Sequence, residues 1–227
     1  PVLDLFSTQL QMEARAQYQY GLLRTISQIN QLIMRNNQSV SLLEQSCQLL
    51  SQGRDYGLVW ISLFDGSKAQ RGDNEDLDVK ELRKGNSPLQ ADVKAGPLAG
   101  KSGALKDEQY LTAAQTVLSE SVLATRRPSV FKETPLANPF WQSGLHKAGI
   151  SACAAFPMRH EASTIGALCV YATRTDIFDN PDEISLLQEL ADDLAYALIS
   201  LEARQQQAFL STAAETMRDG LIITDLH

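Results

Sequence analysis

The sequence predicts a mixed α/β (α+β) fold in which helices cover an antiparallel sheet, and three observations support this class. Long stretches of helix-forming residues without proline lie near both ends, at 7–35 and, after Pro181, to about 215. Between them are runs of β-branched and aromatic residues, of which Tyr56–Phe64 is the clearest. Two further runs, 150–159 and 164–174, are separated by a short polar segment, which predicts a hairpin.

The composition is that of a folded protein with an acidic surface. Of the 227 residues, 44% are hydrophobic and 21% are charged, as in ordinary globular domains. The formal net charge of −7 disfavours binding to phosphate backbones, so we expect no nucleic-acid partner. We also expect no direct membrane insertion, because no run of ~18–20 apolar residues occurs.

The cysteines and the chain ends support two further predictions, one on the redox state of the protein and one on its length. Cys47, Cys153 and Cys169 are too widely spaced for a CxxC motif, which favours reduced, buried thiols in a cytoplasmic protein. Because the chain begins at Pro1 and stops at His227 inside a predicted strand, we expect it to be a piece of a longer protein.

Both terminal helices carry apolar residues at alternating steps of three and four, which is the spacing of a coiled-coil seam. At 1.5 Å per residue, the C-terminal helix would be ~50 Å long and would project beyond its domain. We therefore expect a homodimer that forms through the terminal helices. The seam residues are Leu22, Ile26, Ile29 and Ile33, and then Leu187, Ala191, Leu194, Leu198 and Leu201.

The intervening segments are assigned from local patterns. Ser39–Gly53 is predicted to be a second helix, and 109–126 a third that ends before Pro128. A short strand is expected at 129–131, a short helix at 140–148, and weak strands at 76–82 and 89–93 within the polar stretch 67–106.

This order of elements, together with particular residues, resembles the GAF family of bacterial signalling modules over roughly residues 40–201. The residues that carry the resemblance are LVWISLF at 58–64, GISACAAFPMR at 149–159, IGALCVY at 165–171, and then Phe178 with Asp182-Glu183. The final segment, DGLIITD at 219–225, resembles the opening strand of a PAS domain.

The resemblance implies a sheet with the terminal helices on one face and a ligand pocket on the other. Strand alternation agrees, because Val59 and Ile61 would share one face and Trp60 and Ser62 the opposite face. A mostly apolar set with a few polar groups is typical of a ligand pocket. The candidate ligand-binding residues are Trp60, Ser62, Trp141, Cys153 and Cys169.

Other functions known in the GAF family match the residues of this sequence less well. Phe178 and Asp182-Glu183 match half of the cyclic-nucleotide signature, but Thr173-Arg174 stands where Asn-Lys is expected, and helix capping also explains the surviving half. The Cys-His pair of bilin-binding relatives is absent, and the histidines are too scattered for a metal site. Arg126, Arg127 and Arg159 could bind an acidic ligand or be solvated.

We therefore predict a non-catalytic GAF sensory module that binds an unidentified small molecule. Dimeric helices would relay the presence of this molecule to PAS and output domains. The parent protein would be a cyclic-dinucleotide enzyme or a sensor kinase. The alternatives are a ligand-free dimerising connector and a thiol enzyme similar to methionine sulfoxide reductases. No cofactor can be assigned. The predicted organisation is a signalling helix at 1–38, a sensory domain at 39–201, a linker helix at 202–216 and the start of a PAS domain at 217–227.

Overall fold

The computed structural model describes residues 2–53, 56–64, 89–99, 108–132 and 149–224 of the chain. Its helices are α1 (Val2–Arg35), α2 (Ser39–Gly53), α3 (Glu108–Thr125) and α4 (Pro181–Thr224), with a short 3-10 helix at Ile177–Asp179. Its strands are β1 (Tyr56–Phe64), β2 (Leu89–Ala95), β3 (Ser129–Lys132), β4 (Ala152–His160) and β5 (Ser163–Ala172).

The five strands form one antiparallel sheet in the order β2-β1-β5-β4-β3. Central β5 pairs with both β1 and β4, so Cys169 lies between Trp60 on one side and Ala155 on the other. The mixed fold with an antiparallel sheet and the predicted hairpin are both confirmed. The weak candidate at 89–93 is a strand, whereas 76–82 and 140–148 lie outside the described residues.

The two faces of the sheet carry different helices, and Val59 and Ile61 lie on the face opposite Trp60, as the alternation in β1 predicted. Val59 and Ile61 belong to a large aliphatic core shared with α1, α2 and α4, whereas Leu58 and Trp60 belong to a smaller core shared with α3. The α3 core includes Leu118 and Val122 from that helix, both without any exposed surface.

The predicted dimer seams are intramolecular, which corrects their interpretation. Leu22, Ile26 and Ile29 of α1 are at most 8% exposed in the aliphatic core, and Ile33 packs partly buried against it. A stripe at steps of three and four also suits a helix that packs on a sheet, so its spacing alone did not identify the partner. The corresponding α4 residues are buried in the same core, namely Leu187, Ala191, Leu194, Leu198 and Leu201.

Helices α1 and α4 run side by side in the same direction. Their polar contacts advance together along both helices, with almost constant separation in the sequence. These contacts are Gln19 with Asp182 at 2.7 Å, Asn30 with Asp193, and, just after α1, the carbonyl of Asn37 with Gln205 at 3.2 Å. Residues before Gln19 and after Gln205 therefore extend in opposite directions from the shared region.

Helix α4 continues farther than expected. Its side chains from Glu202 to Glu215 are exposed except for the half-buried Ala213, which fits the predicted projection. The strand expected near 221–223 is wrong, because the helix runs on to Thr224. A lone strand would leave its backbone groups unpaired, whereas a helix pairs them within the segment. The PAS assignment of 217–227 remains a prediction.

Candidate functional site

The sheet face beneath α3 carries most of the predicted ligand-binding residues. Trp60, Cys153 and Cys169 are buried in the same small core, on β1, β4 and β5 respectively. Ser62 is fully buried two positions after Trp60, where strand alternation places it on the same face. Trp141, the fifth predicted residue, lies outside the described residues.

The indole of Trp60 is held between polar and apolar neighbours. Nζ of Lys94, on the edge strand β2, lies 5.2 Å from the ring centroid, within the range of a cation–π contact. The residue is only 5% exposed, yet Nε1 has no hydrogen-bond partner among the described residues. A buried N–H group of this kind costs about 1–3 kcal/mol when it is unsatisfied.

Helix α3 adds a second polar atom of this kind. Oε1 of Glu120 is buried without a hydrogen-bond partner in the described part of the chain. Burial raises the pKa of this carboxyl group. Glu120 is two positions from both Leu118 and Val122, the fully buried side chains that pack on the sheet, so the helical repeat turns its carboxyl group away from the sheet.

The cysteines of the chain, two of them on this face, are all buried. All three are free. Burial, and secondarily the neighbouring Cys169, raises the pKa of Cys153, so its thiol stays protonated. Burial also raises the pKa of Tyr171, which lies beside Cys153 in the sheet. A nucleophilic thiol needs an accessible thiolate, and these environments oppose one.

The half-signature at the start of α4 caps the helix, as the sequence indicated, and also makes contacts in the core that the sequence did not identify. Asn180 caps the helix by accepting a hydrogen bond from the backbone N–H of Asp182 at 3.2 Å. Glu183 instead turns inward, where it is 1% exposed and accepts a hydrogen bond from the hydroxyl of Tyr56. Phe178 stacks on Tyr56 with ring centroids 6.5 Å apart. The motif thus anchors α4 to β1.

The three arginines considered for an acidic ligand have different surroundings. Arg159 pairs with Asp192 of α4, with Nε 3.1 Å from Oδ1 and Nη2 2.5 Å from Oδ2, so its guanidinium is largely engaged. This pairing raises the pKa of Arg159. Arg126 and Arg127 are exposed at the end of α3. The three do not converge beneath α3 as an anion site.

Comparison with the profiles of known protein families identifies the family of the chain. The profile of the GAF domain family matches residues 40–199, which is more than two thirds of the chain. The chain belongs to the GAF domain family. The resemblance drawn from its residues is thereby confirmed. No curated protein gives a significant match.

Solved structures share this GAF fold at low sequence identity. The GAF domain of a putative sensor histidine kinase from Pseudomonas syringae pv. tomato has a TM-score of 0.52 and 14% identity, covering 90% of this chain and 99% of that one. A free methionine-R-sulfoxide reductase from Neisseria meningitidis, solved with its substrate, has a TM-score of 0.54 and 16% identity, covering 82% and 91%. The nlh2 GAF domain of A. aeolicus, in an inactive state, has a TM-score of 0.55 and 10% identity, covering 80% and 97%.

The described residues hold neither a candidate metal site nor a membrane-spanning helix. No cluster of three or more histidine, cysteine, aspartate or glutamate side chains in those ranges could hold a metal ion. Within the same ranges, no helix is both long enough and apolar enough to cross a membrane.

Proposed function

We propose that this GAF domain is a non-catalytic sensory module of a bacterial signal-transduction protein, such as a sensor kinase or a cyclic-dinucleotide enzyme. It binds a small molecule on the α3 face of the sheet and relays its presence through α1 and α4 to following PAS and output domains. It works in the cytoplasm, where its three free thiols stay reduced.

The observation that carries the proposal is the buried, unpartnered Nε1 of Trp60. A ligand with an acceptor oxygen or nitrogen would satisfy this donor, and the surrounding aliphatic and aromatic surface would bury the rest of the molecule. Ser62 and Cys169, adjacent to Trp60 along and across the sheet, complete the candidate site, and Trp141 remains a candidate from the sequence. The polar atoms are few and the walls apolar, as in ligand pockets generally.

The relay is supported by how the strands connect the two faces. Trp60 alternates along β1 with Val59 and Ile61, which contact the core formed with α1, α2 and α4. A change in the position of β1 beneath α3 would therefore reach the parallel helix pair on the other face. A ligand can shift this pair only if it binds one arrangement more tightly than the other.

The homodimer that we propose uses α1 and α4, but not the predicted seams. Tyr20, Leu23 and Met34 of α1 are 73%, 49% and 86% exposed, and their spacing places them on one side of the helix, roughly a third to half a turn from the buried Leu22 and Ile29. Phe209 and Leu210 are exposed on the projecting part of α4. A second copy of the chain would cover both surfaces.

A ligand-free connector is the competing function, and the packing of α3 favours it. Leu118 and Val122 fill the space above the sheet without exposed surface, as in an ordinary core. The thiol enzyme has less support, because no cysteine of the chain is accessible. The likeness to methionine sulfoxide reductases is one of fold.

Native mass spectrometry of protein purified from cells separates these functions. The sensor should carry a co-purified small molecule, and Trp60→Phe, which removes Nε1, should lose most of it while remaining folded. Tyr196→Phe, an exposed aromatic change on α4, serves as the matched control and should retain the molecule. Protein that carries no ligand and a Trp60→Phe variant of undiminished stability would favour the connector.

A further inference from the structure

We propose a second binding site, specific for an organic ammonium or guanidinium group, in the crevice between α4 and the edge of the sheet. The crevice has a volume of about 410 Å³ and is lined by six residues of α4, with Pro128 and Arg159 on the sheet side. Arg159 reaches α4 from β4, so the crevice does not belong to the face beneath α3. The proposal is therefore independent of the sensory ligand.

One wall of the crevice is a fixed hydrogen-bonded framework. Oδ1 of Asp192 accepts hydrogen bonds from the backbone N–H and from Nε of Arg159, both at 3.1 Å, and from Nε2 of Gln188 at 2.9 Å. Oδ2 accepts the remaining bond, from Nη2 of Arg159. These bonds use most of the capacity of Asp192 and neutralise Arg159, so neither is the main attraction for a ligand.

Gln188 supplies an acceptor that the protein leaves unused. Its Nε2 donates to the carbonyl oxygen of Pro157 at 2.9 Å as well as to Asp192, which fixes the orientation of the amide. The residue is only 8% exposed, and its Oε1 accepts no hydrogen bond from the described residues. A buried acceptor without a donor points to a ligand that brings N–H groups.

The charge around this acceptor selects a cation. The lining holds the carboxyl groups of Glu189, Asp192 and Asp193 against the single guanidinium of Arg159. Burial, followed by the charge of Glu189, raises the pKa of Asp193, while a hydrogen bond from Asn30 opposes that shift. A bound cation would relieve the repulsion between these neighbouring carboxylates.

The remaining walls define the class of ligand. Ile184 and Pro128 offer apolar surface on which an alkyl chain can lie, and Ser185 adds a hydroxyl group. The volume lies in the range of small-molecule sites, ~300–1,000 Å³. An alkyl chain that ends in an ammonium or guanidinium group satisfies each of these features. Its source is either a free amine or the lysine or arginine side chain of a partner protein.

Titration of the full chain with agmatine, followed by calorimetry and by NMR of the Gln188 side-chain amide, tests the site. We expect saturable binding and a shift of that amide signal, and no binding of the neutral analogue N-butylurea. The peptide acetyl-Gly-Arg-Gly-amide distinguishes the sources. If agmatine binds and the peptide does not, the natural ligand is a free amine. If the peptide binds as tightly as agmatine or more tightly, the natural ligand is a side chain of a partner protein.

A matched pair of variants separates the crevice from the overall charge. Glu189→Gln with Asp193→Asn should weaken agmatine binding roughly tenfold or more, because it removes the two lining carboxylates that are not paired with Arg159. Glu202→Gln with Glu215→Gln makes the same charge change at exposed positions of α4 and should leave the affinity nearly unchanged. Equal losses in both variants, or no saturable binding of either probe, would overturn the proposal.

Discussion

The hydroxyl of Tyr56 donates a hydrogen bond to Oε1 of Glu183 at 2.5 Å, across 127 positions of sequence. Each residue is 1% exposed, so the bond lies within the core. It joins the first residue of β1 to the first turn of α4. The first turn of α4 is thus anchored to the sheet that carries the candidate ligand site. The same helix projects beyond the domain at its C-terminal end.

Tyr56→Phe should lower the free energy of unfolding by roughly 1–3 kcal/mol. The change keeps the ring and its stacking on Phe178 but removes a donor to a buried carboxyl oxygen, and an unsatisfied buried acceptor has a cost of this size. Urea denaturation followed by circular dichroism measures the change. Tyr196→Phe, which deletes the same hydroxyl from a residue that is 65% exposed, should be nearly neutral. Equal effects in the two variants would mean that the buried bond contributes no stability.

The buried thiol of Cys47 should make the domain lose stability in alkaline solution. Burial, opposed by a backbone hydrogen bond to Ile61, raises the pKa of this thiol to about 12, against ~8.5 in an unfolded chain. Because the folded state favours the protonated thiol, its contribution is complete below about pH 8.5 and declines as the pH rises toward 12.

Cys47→Ala should therefore flatten the pH dependence of unfolding above pH 8.5. Between the two pKa values, one ionising thiol changes the slope by up to about 1.4 kcal/mol per pH unit. Urea titrations at several pH values from 8 to 10 measure this slope. The cavity left by the substitution shifts the whole curve but does not titrate. Parallel curves for the two proteins would show that Cys47 ionises as readily when folded as when unfolded.

The three cysteines should react slowly with a thiol reagent in the native protein. All three are buried, and the raised pKa values of Cys47 and Cys153 keep these thiols protonated at neutral pH. Colour development with an aromatic disulfide reagent should account for three thiols per chain only after denaturation. One thiol that reacts within seconds in native protein at pH 7 would favour the enzyme over the sensor.

Much of the fold could be predicted from the sequence because its signals are local. The apolar run of β1, the proline after α3 and the short polar segment between β4 and β5 each specify their own backbone. The alternation in β1 also predicted that Trp60 lies on the face opposite Val59 and Ile61. Trp60, Cys153 and Cys169 share the small core on that face, whereas their part in ligand binding, and that of Ser62, remains a proposal.

The functions of residues that act through distant partners could not be predicted in the same way. Glu183 has the position of an ordinary acidic residue in a first helical turn, and its partner Tyr56 is far away in sequence. The crevice depends on Gln188 and Asp192 meeting Arg159 of β4. The interpretation of the α1 stripe as a dimer seam was wrong for a different reason. Heptad spacing indicates that a stripe is buried but does not identify the surface that covers it.

The exposed stripe of α1 should hold two chains together. Leu23→Lys with Met34→Lys places charges on the exposed side of α1, roughly a third of a turn from the core-facing residues, so it should convert a dimer into a monomer without unfolding the domain. Gln48→Lys with Gln52→Lys adds the same charge at exposed positions of α2 and serves as the control. Light scattering of the full chain at tens of micromolar measures the mass. Cutting the chain at Val40 is no substitute, because it would strip Leu22 and Ile29 from the core.

The expected mass follows from the size of the available surface. The exposed stripe of α1 from Tyr20 to Met34 is about 21 Å long, and a strip ~10 Å wide along it would bury about 200 Å² per chain, which is below the usual range for a specific dimer. The exposed part of α4 beyond Leu201 adds a second strip. We therefore expect a dimer that dissociates on dilution and that the α1 variant abolishes. A monomer at tens of micromolar for the unmodified chain, or a dimer that survives the α1 variant, would show that these faces do not pair.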